Sequence, residues 1–254
     1  MDIKDFRDNL KVLEPERYAA SLFGSTDEQK KLQYLYAFNY EISKAAWVST
    51  EPLICQIRLK WWKDSLTDYS VIKSHQLINE IVNMFEVSSI PIELMSEMID
   101  ARYWDTNSST FQSKADQDNY INKTYGNLFW IGAQLLGADK KLEDSVRKYA
   151  YGAGVSSFLL AAPMLLSKNR KPFLESSDEY KKNMAKRALI KYKLGKTVLN
   201  SQKYLYPILF SAWQTEKLLN KAIMSPETIS VDQLKLGELS RKWSFMWKVF
   251  IRSL

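Results

Sequence analysis

The sequence predicts an all-α fold. Three observations carry that expectation. Glycine and proline are scarce, eight and seven in 254 residues, while the helix-favouring residues Lys, Leu, Glu, Gln and Ala abound. Long stretches repeat apolar residues at i, i+3, i+4 and i+7, the spacing of one helix face. No alternation of Val, Ile and Thr long enough for a strand is present, and no internal repeat. Hydrophobic residues make up 46% of the chain, ample for a core. About ten helices in one domain, packed around a central cavity or groove, are expected.

Residues 1–16 read as a short lead-in ending at Pro15, followed by one helical domain over 17–254. Arg17 to Phe23 is a short helix. Gly24 stops it, and Ser25-Thr26-Asp27 supplies an N-cap signal for the next. From Glu28 to Asp64 two helices are joined by a break at Ser49-Thr50-Glu51-Pro52. In the first, Leu32, Leu35, Tyr36, Asn39, Ile42, Ser43 and Ala46 share one face. Asn39 and Ser43 are polar within that stripe, and a buried polar group costs roughly 1–3 kcal/mol unless it is hydrogen-bonded. Either they cap or cross-link neighbouring helices, or the stripe faces a cavity. The second helix crowds Arg58, Lys60 and Lys63 around Trp61 and Trp62.

His75 to Phe85 is a clear amphipathic helix, and Pro91 starts another that runs to Asp105. Asp116 to Leu136 and Asp144 to Leu166 read as central helices, apolar nearly all round. The second carries the small-residue run Tyr151–Ser157. Each glycine there costs roughly 1 kcal/mol against alanine, which predicts close approach of a helix or a ligand. Ser177 to Asn200 is a strongly basic helix, and Tyr204 to Ile223 is another helix. Val231 to Leu254 is read as the last. It places Leu236, Leu239, Trp243, Met246, Trp247 and Phe250 on one face, flanked by Lys235, Arg241, Lys242, Lys248 and Arg252. A basic amphipathic helix with two tryptophans can lie in a bilayer interface, so Trp243, Trp247, Arg241 and Lys242 are candidates for membrane or partner contact. The same face would equally cap a core.

Thirty-six Lys and Arg against 29 Asp and Glu give a net charge of +7, which favours anionic company. The basic residues are spread along the chain without a zinc finger, homeodomain or RNA-binding signature, so nucleic acid is not expected as a partner. The one cysteine, Cys55, allows no intramolecular disulfide and fits a reducing compartment. The lone His75 sits in a polar stretch and reads as a surface residue. The first ten residues carry three aspartates and no apolar core, unlike a signal or transit peptide. No apolar run approaches the ~20 residues of a membrane span. The expected place is the bacterial cytoplasm, peripheral on the inner membrane.

The phrases LYAFNYEI, the Ser-x-Glu-Pro turn and IRLKWWKDSL resemble the squalene/phytoene synthase family. Within it they are most similar to the branch that includes a mitochondrial complex I assembly factor. The resemblance runs from about Arg17 to the C-terminus and implies an isoprenoid-synthase-type helical bundle around a cavity. In the family's synthases two aspartate-rich helical segments hold Mg²⁺, which neutralises the leaving diphosphate, while an apolar wall accommodates the prenyl tail. Oxygen ligands suit that ion, and charge stabilisation of the departing group is the main catalytic effect.

The family's first motif follows a Tyr-Ala-Phe phrase, here Tyr36-Ala37-Phe38, and its acidic positions fall on Ser43, Lys44 and Trp47. Glu41 lies about 200° round the helix from Ser43 and points elsewhere. The second motif precedes a phrase matched by Asn169-Arg170-Lys171-Pro172-Phe173. Its Gln, Asn, Arg and two Asp fall on Gly154, Ser157, Leu160, Ala161 and Leu165. No acidic residue occurs between Asp144 and Glu175. The segment from Asp100 to Asp105 resembles the family's Arg-x-x-Asp phrase, and Tyr120 to Gly126 its tyrosine-bearing helix. Arg102 and Asp105 are spaced for an i, i+3 ion pair.

No catalytic residue and no metal ligand is therefore assigned. Asn39, Ser43, Trp47, Gly154, Ser157 and Ala161 are candidates for lining the cavity. Arg58, Lys63, Arg102 and Arg170 are candidates for gripping an anion, against plainer readings as a snorkelling basic face, an ion pair and a loop residue. The resemblance implies a non-catalytic protein, without cofactor, that acts in assembly of respiratory complex I or a related membrane complex. Its partner would be a membrane surface or a subunit of that complex. Two alternatives stand beside it: a head-to-head prenyltransferase of isoprenoid biosynthesis using prenyl diphosphates and Mg²⁺, and a binder of an isoprenoid, quinone or other lipid. Fold alone does not decide among them.

Overall fold

The computed structural model describes residues 3–107, 110–237, 243 and 245, and no strand occurs among them. In chain order the α-helices are α1 (Ile3–Leu13), α2 (Pro15–Ser21), α3 (Thr26–Ala45), α4 (Pro52–Ser65) and α5 (Tyr69–Ser74). They continue with α6 (Gln76–Ser88), α7 (Glu93–Thr106), α8 (Lys114–Ile121), α9 (Asn127–Leu135) and α10 (Glu143–Ser167). The remainder are α11 (Asp178–Leu199), α12 (Tyr206–Leu209) and α13 (Thr215–Met224).

Local chemistry sets several of these boundaries. At the start of α3 the Ser25 hydroxyl accepts the Glu28 amide and the Glu28 carboxylate accepts the Ser25 amide at 2.7 Å, a reciprocal capping box. Helix α4 starts on Pro52, whose missing N–H is no loss in a first turn. Ser177 caps α11 by accepting the Tyr180 amide.

Four expectations about the helices need correction. The lead-in is itself helical: α1 buries Leu10 and packs on α3. The helix expected over 116–136 is interrupted by a π-helical turn, Asn122–Gly126. There Thr124 turns its hydroxyl back onto the Tyr120 carbonyl at 2.7 Å, and a wider turn leaves the apolar period almost undisturbed. The helix expected over 204–223 is split by 3₁₀ turns at Lys203–Leu205 and Phe210–Ala212. Residues 231–237 form turns, with Asp232 at φ 56°, so the last predicted helix does not start at Val231. Of its residues, Leu239, Arg241, Lys242, Met246, Trp247, Lys248, Phe250 and Arg252 lie outside the described residues.

The chain divides into two compact units. The first comprises the residues up to Asn107 with Asn127–Lys140 and Tyr204–Ser211. Its core is the inner face of α3 (Leu32, Leu35, Tyr36, Phe38, Ile42) against α4, α6, α7 and α9. Trp62 of α4 is buried there, its ring edge-on to Phe38 at 5.7 Å. Half-buried His75 is no surface bystander. Its ring meets Trp61 and Trp62 edge-on, and its Nδ1 accepts the Ile78 amide at the start of α6.

The second unit comprises Ser108–Gly126, Lys141–Lys203 and the chain from Ala212. It is built on α10, α11 and α13. Tyrosine and glycine interlock α10 with α11. A Cβ on Gly152 would lie 2.5 Å from the Tyr192 Cβ, and one on Gly195 would lie 2.5 Å from the Ser145 carbonyl oxygen. Between them the Tyr149 and Tyr192 rings sit 4.5 Å apart, with the Tyr192 hydroxyl donating to that of Tyr149 at 3.2 Å. The segment Lys140–Ser167, which contains α10, is long and apolar enough to cross a bilayer by length and composition, contrary to the sequence expectation. Most of it is buried within the protein, as befits a core helix.

Candidate functional site

In the first unit the positions expected to carry the first metal motif lie at the C-terminal end of α3. The Ser43 hydroxyl donates to the Asn39 carbonyl at 2.7 Å, so it is satisfied within its own helix and needs neither cavity nor cross-link. Asn39 is buried, Lys44 is exposed, and Trp47 is half-buried in the turn that closes the helix. A shallow, open depression lies beside α1 and α3, lined by Asn9, Leu10, Leu13, Ala37, Tyr40 and Glu41. None of the candidate cavity residues lines it.

The anion candidates of this unit are engaged. Arg58 lies over the ring of Trp61, 4.7 Å from its centroid, and 5.9 Å from that of Trp62. The Lys63 ammonium contacts both Asp100 carboxylate oxygens at 2.7 Å and so ties α4 to α7. Arg102 donates to Asp105 at 3.2 Å, the i, i+3 pair read from the sequence, and Asp105 is buried. Asn127 at the start of α9 donates to the Leu94 carbonyl and to Glu97, at 3.0 and 2.9 Å.

In the second unit, the second motif falls on the apolar length of α10. Gly154 is buried and faces the π-helical turn: a Cβ there would lie 2.7 Å from Ile121 Cγ2 and 2.9 Å from Tyr125 Cβ. The close approach that the small-residue run predicts is thus one of helix to helix, at Gly152 as at Gly154. Ser157, Leu160 and Ala161 are half-buried, and Leu165 is buried. Phe158 gathers Phe111, Tyr120 and Phe173 around it, with ring centroids 6.0 to 6.1 Å away.

The loop after α10 is held by backbone and side-chain hydrogen bonds. Arg170, half-buried, closes the helix by donating its amide to the Leu165 carbonyl at 2.9 Å, after Asn169 takes φ 56°. Gln117 donates to the Pro172 carbonyl at 3.1 Å, Thr110 to that of Phe173 at 3.2 Å, and Tyr180 to Gln117 at 2.8 Å. A polar group that sequence reasoning missed joins α8, α10 and α11. Tyr151 donates to Asp118 at 2.6 Å beside Arg187, and the Lys191 ammonium sits 3.9 Å from the Tyr151 ring centroid. Burial first, and then the Asp118 carboxylate, push the Tyr151 hydroxyl pKa well up. These four come from three helices, so no linear spacing announces them.

A divalent ion that neutralises a diphosphate needs several convergent oxygen donors. Among the described residues, no group of three or more His, Cys, Asp or Glu side chains gathers to hold one. The acids of α10 are in its first turn, where Glu143 takes Arg147 at 2.7 Å and Asp144 takes Lys148 at 2.6 Å. The residues at both motif positions do not fit Mg²⁺, and no reaction step through it follows from them. At the predicted membrane contact, Trp243 is 72% exposed, whereas the Phe245 ring meets buried Trp213 at 5.6 Å.

Residues 12–159 match the family model described as squalene/phytoene synthase. The chain is 24% identical over 151 residues to the protein named NADH dehydrogenase (ubiquinone) complex I, assembly factor 6, of Mus musculus, covering 58% of this chain and 45% of that one. It is 23% identical over 158 residues to the protein of the same name from Bos taurus, covering 61% and 47%. The match thus spans about half the length of these curated relatives. Its fold is similar to a crystal structure of a dehydrosqualene synthase in complex with ligand, with a TM-score of 0.67 at 11% identity over 98% of this chain and 97% of the other. The all-α isoprenoid-synthase fold expected from the sequence is the one found. With more than half of its length matched by the family model, the chain belongs to the squalene/phytoene synthase family.

Proposed function

We propose that this chain is a non-catalytic member of its family that acts in assembly of respiratory complex I or a related membrane complex, peripheral on the membrane. The observation that carries the reading is α10, whose metal-motif positions hold Gly154, Ser157, Leu160, Ala161 and Leu165, with no acid from residue 145 to residue 174. Loss of a single carboxylate would leave a damaged site, but loss of every donor on the helix removes the electrostatic stabilisation that diphosphate departure requires. The framework around α10 is kept, which supports selection for a folded surface instead of for turnover. The two mammalian relatives are named assembly factors, which supports the same reading. Exposed Trp243, two residues from inward-facing Phe245, supports attachment through the C-terminal segment.

Deletion of the gene in its own host tests the assembly role. The expected result is less fully assembled complex I on native gels, restored by the wild-type gene. An unchanged level and activity of the complex would overturn it.

A further inference from the structure

Helix α11 has two apolar faces. One is buried, with Met184, Ala185, Ala188, Tyr192, Gly195 and Leu199, where the helix packs on α10 and α13. The other consists of Ile190, Leu194 and Val198, which are 61%, 55% and 45% exposed. Their spacing of four places them in one row about 12 Å long, at 1.5 Å per residue. Isolated exposed aliphatics are ordinary, but three in a row on one helix form a ridge.

Cations frame that ridge. At 100° per residue Lys186 and Lys193 fall on one side, and Arg187 and Lys191 on the other. The only acids of the helix, Asp178 and Glu179, lie in its first turn and are held by Lys181 at 2.6 Å and Asn183 at 2.9 Å. Two carboxylates reach in from neighbouring elements. Glu216 takes Lys196 at 2.9 Å and Lys193 at 3.7 Å, and Asp118 lies 3.9 Å from Arg187. With Lys182, and leaving out Lys196 on the opposite side of the helix, five cations along this face meet these two carboxylates, so the frame stays positive.

We propose that this outward face of α11 is a membrane-contact surface that takes an anionic lipid bilayer. A short aliphatic ridge flanked by exposed Lys186 and Lys193 matches the interfacial pattern: the ridge enters the acyl boundary while lysine stems snorkel to the headgroups. A second copy of the chain would set lysine rows against lysine rows, which disfavours self-association through this face. The inference rests on the membrane location proposed above but not on Trp243, and its test separates the two.

The full-length protein is sedimented with vesicles of phosphatidylcholine containing phosphatidylglycerol, and with vesicles of phosphatidylcholine alone, at low salt. Wild type is expected to follow the anionic vesicles only, with binding weakened by salt. Ile190→Ser with Leu194→Ser, and separately Lys186→Glu with Lys193→Glu, should melt like wild type and lower partitioning at least about tenfold. Folded ridge variants that bind as wild type does would overturn the proposal. Loss of binding in Trp243→Ala alone, with the ridge variants unaffected, overturns it while leaving the C-terminal attachment standing. A wild type that ignores anionic vesicles overturns both. Dimerisation abolished by Leu194→Ser would assign the ridge to a second copy and overturn it as well.

Discussion

Helices α10 and α11 pack along one another in the second unit, yet their residues meet different demands. On α10 the face that in a synthase would present carboxylates is made of Gly154, Ser157, Ala161 and Leu165, and glycine brings the π-helical turn within contact. On α11 charge is plentiful, but it is positive and turned outward around an aliphatic ridge. One helix carries no acid from residue 145 onward. The other keeps exposed apolar groups that folding does not require.

The interlock between the two helices gives the largest expected effect. A methyl group on Gly195 would sit 2.5 Å from the Ser145 carbonyl oxygen and 2.6 Å from the Tyr149 amide nitrogen, both backbone atoms that cannot step aside. Gly195→Ala should cost about 3 kcal/mol, the upper end for overpacking, measured by chemical denaturation. Near-wild-type stability would mean that α10 and α11 are not tightly apposed. Gly154→Leu should come next, at roughly 1–3 kcal/mol, because Ile121 and Tyr125 are side chains that can partly yield. An unchanged midpoint would mean that α10 does not closely approach the π-helical turn at Gly154.

A subtler effect appears at high pH. Burial pushes the Tyr192 hydroxyl well above its usual value of 10.0, as it does Tyr151 on α10. Above about pH 10 the unfolded chain loses these protons while the folded chain keeps them, so stability falls as pH rises through that range. Tyr192→Phe should flatten part of the decline. Equal slopes in urea titrations of the variant and wild type would show that Tyr192 does not resist ionisation in the fold.

Much of the fold was legible because its signals are local. The Ser25 cap, the Pro52 start and the apolar faces of α3 and α6 each depend on residues within a turn or two of one another. The missing carboxylates were legible for the same reason, since a donor type absent from a stretch needs no structure to be noticed. What escaped depends on partners distant in sequence or on direction. The π-helical turn keeps the apolar period while shifting the register, and Gly195 looks like a flaw in a basic helix until Ser145 and Tyr149 are seen beside it. Ile190, Leu194 and Val198 have the spacing of a buried stripe, and only packing of the opposite face shows that they point outward. Asp118, Tyr151 and Arg187 stand on three helices and meet only in the fold.

The framework is proposed to persist without metal-dependent diphosphate binding. Thermal melting tests it most directly, with the protein alone, with Mg²⁺, with farnesyl diphosphate, and with both together. A ligand at a hundred times its dissociation constant stabilises the folded state by about 2.7 kcal/mol, a rise of roughly 5–10 °C for a chain of this size. The combination should melt no higher than the better of its two components. A rise that appears only when Mg²⁺ and farnesyl diphosphate are both present, and disappears with a chelator, would contradict it.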